Sequence, residues 1–195
     1  MNTINIYVTG VGGQGVGIAA EIILRTLSYA GNKVIGVDTH GLAQRGGTVE
    51  SFVRVGPSVY SPLIRKNSAD LILALERNEA LRAIQEYAKP SSRLIYYDTL
   101  WSPLNVRLHP GEVADTTKMQ ISEYAGASNR NIEVVSLKDD SLKDIRMQNM
   151  ILISYLSKNK IFSPLNVTTD HFIKALSDLF SSSILEENTN ILHPK

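Results

Sequence analysis

The residues best suited to chemistry lie in two glycine-rich segments within the first fifty positions. Gly10-Val11-Gly12-Gly13-Gln14-Gly15 directly follows one apolar run, and Gly41-Leu42-Ala43-Gln44-Arg45-Gly46-Gly47 follows a second. The first fits G-x-G-x-x-G between a strand and a helix, where glycines permit a tight turn and close ligand approach. The helix behind it offers unpaired N–H groups and a positive dipole end to a phosphate or carboxylate. On this reading Gly10, Gly12, Gly13, Gln14 and Gly15 cradle an anionic cofactor, and Asp38 at the end of the second strand accepts from a ribose hydroxyl. Alternatively, the glycines serve only close strand–helix packing.

The second segment places Arg45 between Gln44 and Gly46, suited to a planar, bidentate grip on a carboxylate or phosphate. A solvated arginine in a hairpin turn is the plainer alternative. His40 is a candidate proton carrier or a hydrogen-bonding structural histidine. Glu76 is a candidate site residue or simply a carboxylate at a helix N-terminus. If the sheet is mostly parallel, Gly10 to Gly15, Asp38 to His40, Glu76 and Asp98 all stand at strand carboxyl ends and converge on one rim. Apart from His40, no residue suggests itself as catalytic. There is no nucleophile elbow, and neither glycine segment is followed by Lys-Ser or Lys-Thr. This pattern points to a binding or accessory module.

Hydrophobic patterning predicts the elements that position these residues. Strands are expected at 4–9, 33–38, 48–55, 70–75, 93–97 and 132–136, with a short one near Val106. Helices are expected at 16–30, stopped by Gly31, and at 78–87, then one ending near Ala125, then 141–157 and 169–182. In the first helix Glu21 and Arg25 lie at the favourable i,i+4 spacing. Alternation in 48–55 predicts a half-exposed strand in an antiparallel or edge position. The βαβ rhythm predicts a three-layer α/β/α, Rossmann-like domain with a mostly parallel, mixed sheet. It spans residues 1–185, followed by a polar C-terminal tail at 186–195.

Composition narrows the function classes. The 195 residues are 43% hydrophobic and 20% charged with a net charge of +1, which argues against nucleic-acid binding driven by bulk charge. No apolar run is long enough to span a bilayer, and no leader pattern precedes the first strand, so a cytoplasmic location is expected. With no cysteine, the chain cannot supply thiolates to an iron–sulfur cluster. His40, His109, His171 and His193 form no local metal motif, and no metal site is expected.

Several segments in fixed order resemble one family. They are Gly10 to Val16, Asp38-Thr-His-Gly-Leu-Ala-Gln-Arg-Gly-Gly-Thr-Val49, Val53-Arg54, Val59-Tyr-Ser-Pro-Leu-Ile64, Ala69-Asp70 and Leu73 to Glu76. Together they are similar to the gamma subunit or domain of 2-oxoacid:ferredoxin oxidoreductases, in particular the beta subunit of indolepyruvate ferredoxin oxidoreductase. The resemblance is strong over residues 4–100 and weaker beyond Asp98.

The resemblance implies the fold of the pyruvate:ferredoxin oxidoreductase gamma domain. It also implies a complex that oxidatively decarboxylates a 2-oxoacid, such as indolepyruvate or another aryl pyruvate, passes electrons to ferredoxin and forms an acyl-coenzyme A. Thiamine diphosphate, magnesium and the iron–sulfur clusters would belong to partner subunits. Coenzyme A would meet the Gly10–Gly15 loop, while His40, Gly41, Gln44, Arg45, Gly46, Gly47 and Glu76 would face the partner or coenzyme A. A subunit that lends one wall to a shared site is expected to expose apolar patches, and so to form homodimers when isolated. Where the family commonly has a glycine after Asn149-Met150, this sequence continues Ile-Leu-Ile-Ser154, and Arg65-Lys66-Asn67 reads as a solvated basic turn. The alternative is a free-standing Rossmann-type oxidoreductase that binds NAD or FAD.

Overall fold

The computed structural model describes residues 3–40, 47–101, 116–127, 130–142, 144 and 147–192, with His40 described by its backbone. Gly41, Gln44, Arg45, Gly46, His109, His193 and the strand expected near Val106 lie outside the described residues.

Strands β1 (Ile4–Val11), β2 (Val34–His40), β3 (Thr48–Val55), β4 (Ala69–Ala74), β5 (Ala88–Tyr97) and β6 (Glu133–Leu137) form one sheet in the order β2-β3-β1-β4-β5-β6. β3 runs antiparallel to β1 and β2, while β1–β4, β4–β5 and β5–β6 are parallel. Two antiparallel pairings in succession leave β2 parallel to β1, so Asp38 and the Gly10–Gly15 loop share one end of the sheet. The half-exposed strand expected at 48–55 is antiparallel but not at an edge: β2–β3 is a hairpin folded inward, and β2 takes the edge. Accordingly Val49, Phe52, Val53 and Val55 are all buried.

The strand periodicity divides the core into two layers. Ile6, Val8, Leu71, Leu73 and Ile95 face one side, which is covered by α1 (Val16–Tyr29), α4 (Gln148–Lys158), α5 (Thr169–Leu179) and α6 (Ser182–Leu192). Tyr7, Phe52, Ile72, Leu94 and Tyr96 face the other, under α2 (Arg77–Glu86) and α3 (Lys118–Gly126). Helix boundaries follow capping chemistry. Gly31 takes φ +80° past the end of α1, and its N–H donates to the Ser28 carbonyl at 2.9 Å. Thr117 and Gln120 form a capping box on α3. In α5 His171 takes the corresponding place, its Nδ1 accepting the Thr168 N–H at 3.0 Å.

Three helix expectations change. The helix expected over 141–157 begins only at Gln148, as α4. The helix expected over 169–182 ends at Leu179, and α6 begins at Ser182. The polar tail expected from Glu186 is helical as far as Leu192, with Asn188 and Leu192 buried. Polar residues on the outer face of α6 masked its short inner face. The missing glycine near Ser154 is accommodated by the same helix, because the buried Ser154 hydroxyl donates to the Ile191 carbonyl at 2.9 Å.

Candidate functional site

The first glycine loop is held shut by its own side chain. Gln14 is buried; its Oε1 accepts the Val11 N–H at 2.7 Å and its Nε2 donates to the Leu75 carbonyl at 3.2 Å. Gly10 lies within β1, where an added Cβ would meet Gln14 Oε1 at 2.8 Å, Val16 Cγ2 at 2.9 Å and Leu75 Cβ at 3.0 Å. The Gly12 N–H donates to the Gly47 carbonyl at 2.8 Å, joining the first glycine segment to the end of the second. The Gly12 N–H and both amide atoms of Gln14 are therefore engaged within the chain, and Gly10 has no room for a side chain.

Gly13 remains open, and the start of α1 lies beside it. Gly13 has φ +101° and nothing within 4 Å of its Cβ position. Gly15 has φ +80° and begins α1 without a side-chain cap. With no capping oxygen and no acidic residue in its first turn, this helix start keeps its positive end available. Two side chains from other elements border it. Asp38 Oδ2 lies 3.0 Å from the Cβ position of Gly17, placing a carboxylate beside the first turn of α1. The Asn149 amide nitrogen lies 2.5 Å from the Cβ position of Gly15 and 3.4 Å from its carbonyl oxygen. Beside Asn149, Gln148 is fully buried and, among the described residues, neither of its amide atoms has a hydrogen-bond partner.

Two further rim carboxylates, Glu76 and Asp98, are engaged within the fold. Glu76 is buried and caps α2, accepting the N–H groups of Asn78 (2.9 Å) and Glu79. Burial pushes its carboxyl up to about 7, and the nearby Glu79 adds to that against the bonded amides. Asp98 pairs with Arg77 at 3.1 Å and Lys118 at 2.6 Å. These two carboxylates thus organise the start of α2 and its neighbour α3; neither points to proton transfer. The His40 backbone pairs with Val49 in the β2–β3 ladder.

A charged network under the rim was not legible in the sequence. Arg82 donates to Glu79 (2.9 Å), Glu50 (2.9 Å), the Tyr7 hydroxyl (3.2 Å) and the Thr9 hydroxyl (3.2 Å). Glu79 also accepts from the hydroxyls of Thr9 (3.0 Å) and Thr48 (2.9 Å), while Tyr7 donates to Glu50 (2.6 Å). Burial works against the charge on Arg82, but Glu79 outweighs it and holds the guanidinium charged. Burial likewise pushes the Tyr7 hydroxyl up. The network ties α2 to the ends of β1 and β3, and so anchors the base of the second glycine segment. Its one sequence signal was Glu50 on a strand face that also carries the buried Phe52. Asn149 gave no signal as a site residue, because the Gly15 it borders lies 134 residues away in sequence.

Among the described residues no group of three or more metal-binding side chains occurs, and no helix is long and apolar enough to cross a membrane.

The sequence profile of the family described as pyruvate ferredoxin/flavodoxin oxidoreductase matches residues 5–193. Indolepyruvate oxidoreductase subunit IorB of Methanothermobacter thermautotrophicus is 31% identical over 187 residues, covering 94% of this chain and 91% of its own. The IorB subunit of Archaeoglobus fulgidus is 51% identical over 86 residues, and the matched part spans only 40% of that relative. Among solved structures, the gamma subunit of a keto/oxoacid ferredoxin oxidoreductase from Geobacter sulfurreducens shares the fold with a TM-score of 0.65 at 16% identity, covering 97% of this chain and 94% of that one. Pyruvate oxidoreductase subunit PORC of Thermotoga maritima gives 0.66 at 19% identity, covering 99% and 94%. A 2-oxoglutarate:ferredoxin oxidoreductase from Magnetococcus marinus, solved with 2-oxoglutarate, coenzyme A and succinyl-CoA bound, gives 0.66 at 18% identity; this chain spans 30% of its length.

Proposed function

The chain belongs to the pyruvate ferredoxin/flavodoxin oxidoreductase family, and from that premise we propose that it is the accessory subunit of a thiamine-dependent 2-oxoacid:ferredoxin oxidoreductase of the indolepyruvate or aryl pyruvate type. The observation that carries this reading is the near full-length similarity to an indolepyruvate oxidoreductase subunit. The chain also has an uncapped helix start with, among the described residues, no assembled set of reacting side chains around it. A larger partner would supply thiamine diphosphate, magnesium and the iron–sulfur clusters. A chain without cysteine has no thiolates with which to hold such a cluster.

In this role the chain contributes binding and orientation. The backbone from Gly13 to Gly17 offers amides and a helix dipole to a phosphate of coenzyme A. Asn149 stands beside it as a neutral donor, and Asp38 repels anions that approach from the β2 side. The partner would hold the 2-oxoacid and draw electrons from it, with ferredoxin as final acceptor. A free-standing NAD- or FAD-binding protein shares Asp38 and the first glycine loop, but its second strand would run into a helix, whereas here the next element after β2 is β3, paired antiparallel with it.

Co-expression with the larger subunit tests the proposal. The purified complex is expected to turn over aryl pyruvates with coenzyme A and ferredoxin, and to lose this activity without the present chain. Unchanged coenzyme A-dependent turnover by the larger subunit alone would overturn it, as would tight binding of NADH by the isolated chain in titration calorimetry.

A further inference from the structure

At the opposite end of the sheet the segment between β3 and β4 presents apolar side chains from a fixed backbone. Tyr60 is 83% exposed and Leu63 59% exposed, while Val59 and Ile64 beside them are buried. Arg54 pins this segment: its guanidinium donates to the Ser61 carbonyl at 2.8 Å, to the Leu63 carbonyl at 3.4 Å and to Asn5 Oδ1 at 2.8 Å. Lys33 pins the other side, donating to the Pro57 carbonyl at 3.3 Å and lying 4.0 Å over the Tyr60 ring. A large exposed side chain held this way has little ordering entropy left to lose on association.

The same place carries positive charge with no local answer. Arg54 and Arg65 line a cavity of about 480 Å³ with Asn5, Ser61, Leu63 and Ser68. Among the described residues the Arg65 guanidinium has no hydrogen-bond or ion-pair partner. Neighbouring carboxylates are already engaged: Asp70 binds Lys89 and the Asn5 N–H, and Glu86 binds Lys66. The turn read from sequence as a solvated basic one therefore divides into a paired Lys66 and an unanswered Arg65.

We propose that Tyr60, Leu63 and the cavity holding Arg54 and Arg65 form a docking site for an acidic segment of the larger subunit. A carboxylate of that segment enters between the arginines while its apolar neighbours cover Tyr60 and Leu63. The exposed Tyr60 and Leu63 favour a polypeptide over a free anion, which would leave them uncovered. Because β1 separates Asn5 from Gly10 by about 17 Å, this contact is distinct from the glycine rim. It attaches the subunit without touching the proposed coenzyme A site. The inference rests on the proposed membership of a complex.

The test uses the co-expressed complex. Arg65→Glu, and separately Tyr60→Ser with Leu63→Ser, are expected to weaken assembly at least tenfold by size-exclusion chromatography and titration. The melting temperature of the isolated chain should stay unchanged, and Ile184→Ser, at an exposed apolar position on α6, should assemble as wild type. A photo-crosslinking residue at position 60 should capture an acidic peptide of the larger subunit. Wild-type assembly by both docking variants would overturn the inference. So would inorganic phosphate binding that Arg65→Gln abolishes without affecting assembly, or a wild-type self-dimer that the variants dissociate. If the wild-type chain joins no larger subunit, the functional proposal itself fails, and that outcome is distinct from these.

Discussion

The carboxamide of Asn149 stands 2.5 Å from the point where a Cβ on Gly15 would sit. Helix α4, which enters the fold more than a hundred residues later, thereby closes against the start of α1. It makes Gly15 obligatory twice over: once for its φ of +80° and once for space.

Replacing Gly15 with alanine is expected to cost about 2–4 kcal/mol, combining the left-handed backbone cost with a clash in a packed site. Urea denaturation measures it. Adding Asn149→Gly should recover the steric part and leave about 1–2 kcal/mol for the backbone. If the double variant recovers nothing, the contact with Asn149 is not what limits the position.

Gln14→Ala should destabilise the fold by about 2–3 kcal/mol, because it leaves the Val11 N–H and the Leu75 carbonyl without their partner in a buried site. The corresponding complex, if it folds, should keep its coenzyme A KM within about twofold, since Gln14 has no exposed polar atom to offer. A large KM change at unchanged stability would return Gln14 to the ligand-binding set.

Gln14 shows where sequence reading reaches its limit. The strand–glycine–helix order was legible because backbone needs are local, as was the antiparallel setting of the strand over 48–55. The order of the rim followed from strand ends. What the sequence could not show was which polar groups are already used. Gln14 looked available and is internally bonded, Glu76 read either as a site residue or as a helix N-terminal carboxylate and caps α2, and Asn149 looked like part of an ordinary helix and borders the start of α1. Such assignments depend on partners 61 residues away for Gln14 with Leu75 and 134 for Asn149 with Gly15.

Arg82→Met leaves Glu50 and Glu79 facing each other without their shared cation, and a loss of about 3–5 kcal/mol is expected. Adding Glu79→Gln should return at least about 1 kcal/mol by removing one stranded charge. Hydrogen exchange should show the amides at the start of β3, next to Thr48, opening first. Uniform loss of protection would show that the network does not anchor that hairpin specifically.

Glu76 predicts a falling stability limb. Its carboxyl stands at about 7 in the folded chain against an ordinary 4.5, so between these values the folded state binds the extra proton. Its contribution is fully present below pH 4.5 and is lost as pH rises through 7, amounting to about 2–3 kcal/mol. Unfolding free energies from urea titrations between pH 5 and 8 should fall by this amount in wild type and stay flatter in Glu76→Gln. Equal slopes would assign the pH dependence to other groups.

Asp38 separates the two functional readings through the sign of one effect. Its carboxylate lies beside the first turn of α1, where it opposes an incoming phosphate by about 1 kcal/mol after screening by solvent. If coenzyme A phosphate occupies that helix start, Asp38→Asn should lower the coenzyme A KM of the complex about three- to tenfold at low ionic strength. Added salt should shrink the effect, because screening weakens the repulsion being removed. If the site instead holds a dinucleotide ribose, the same substitution removes an acceptor and weakens binding. A coenzyme A KM insensitive to Asp38→Asn at low salt would place the phosphate away from Gly13 to Gly17, and the glycine loop would then be a packing device alone.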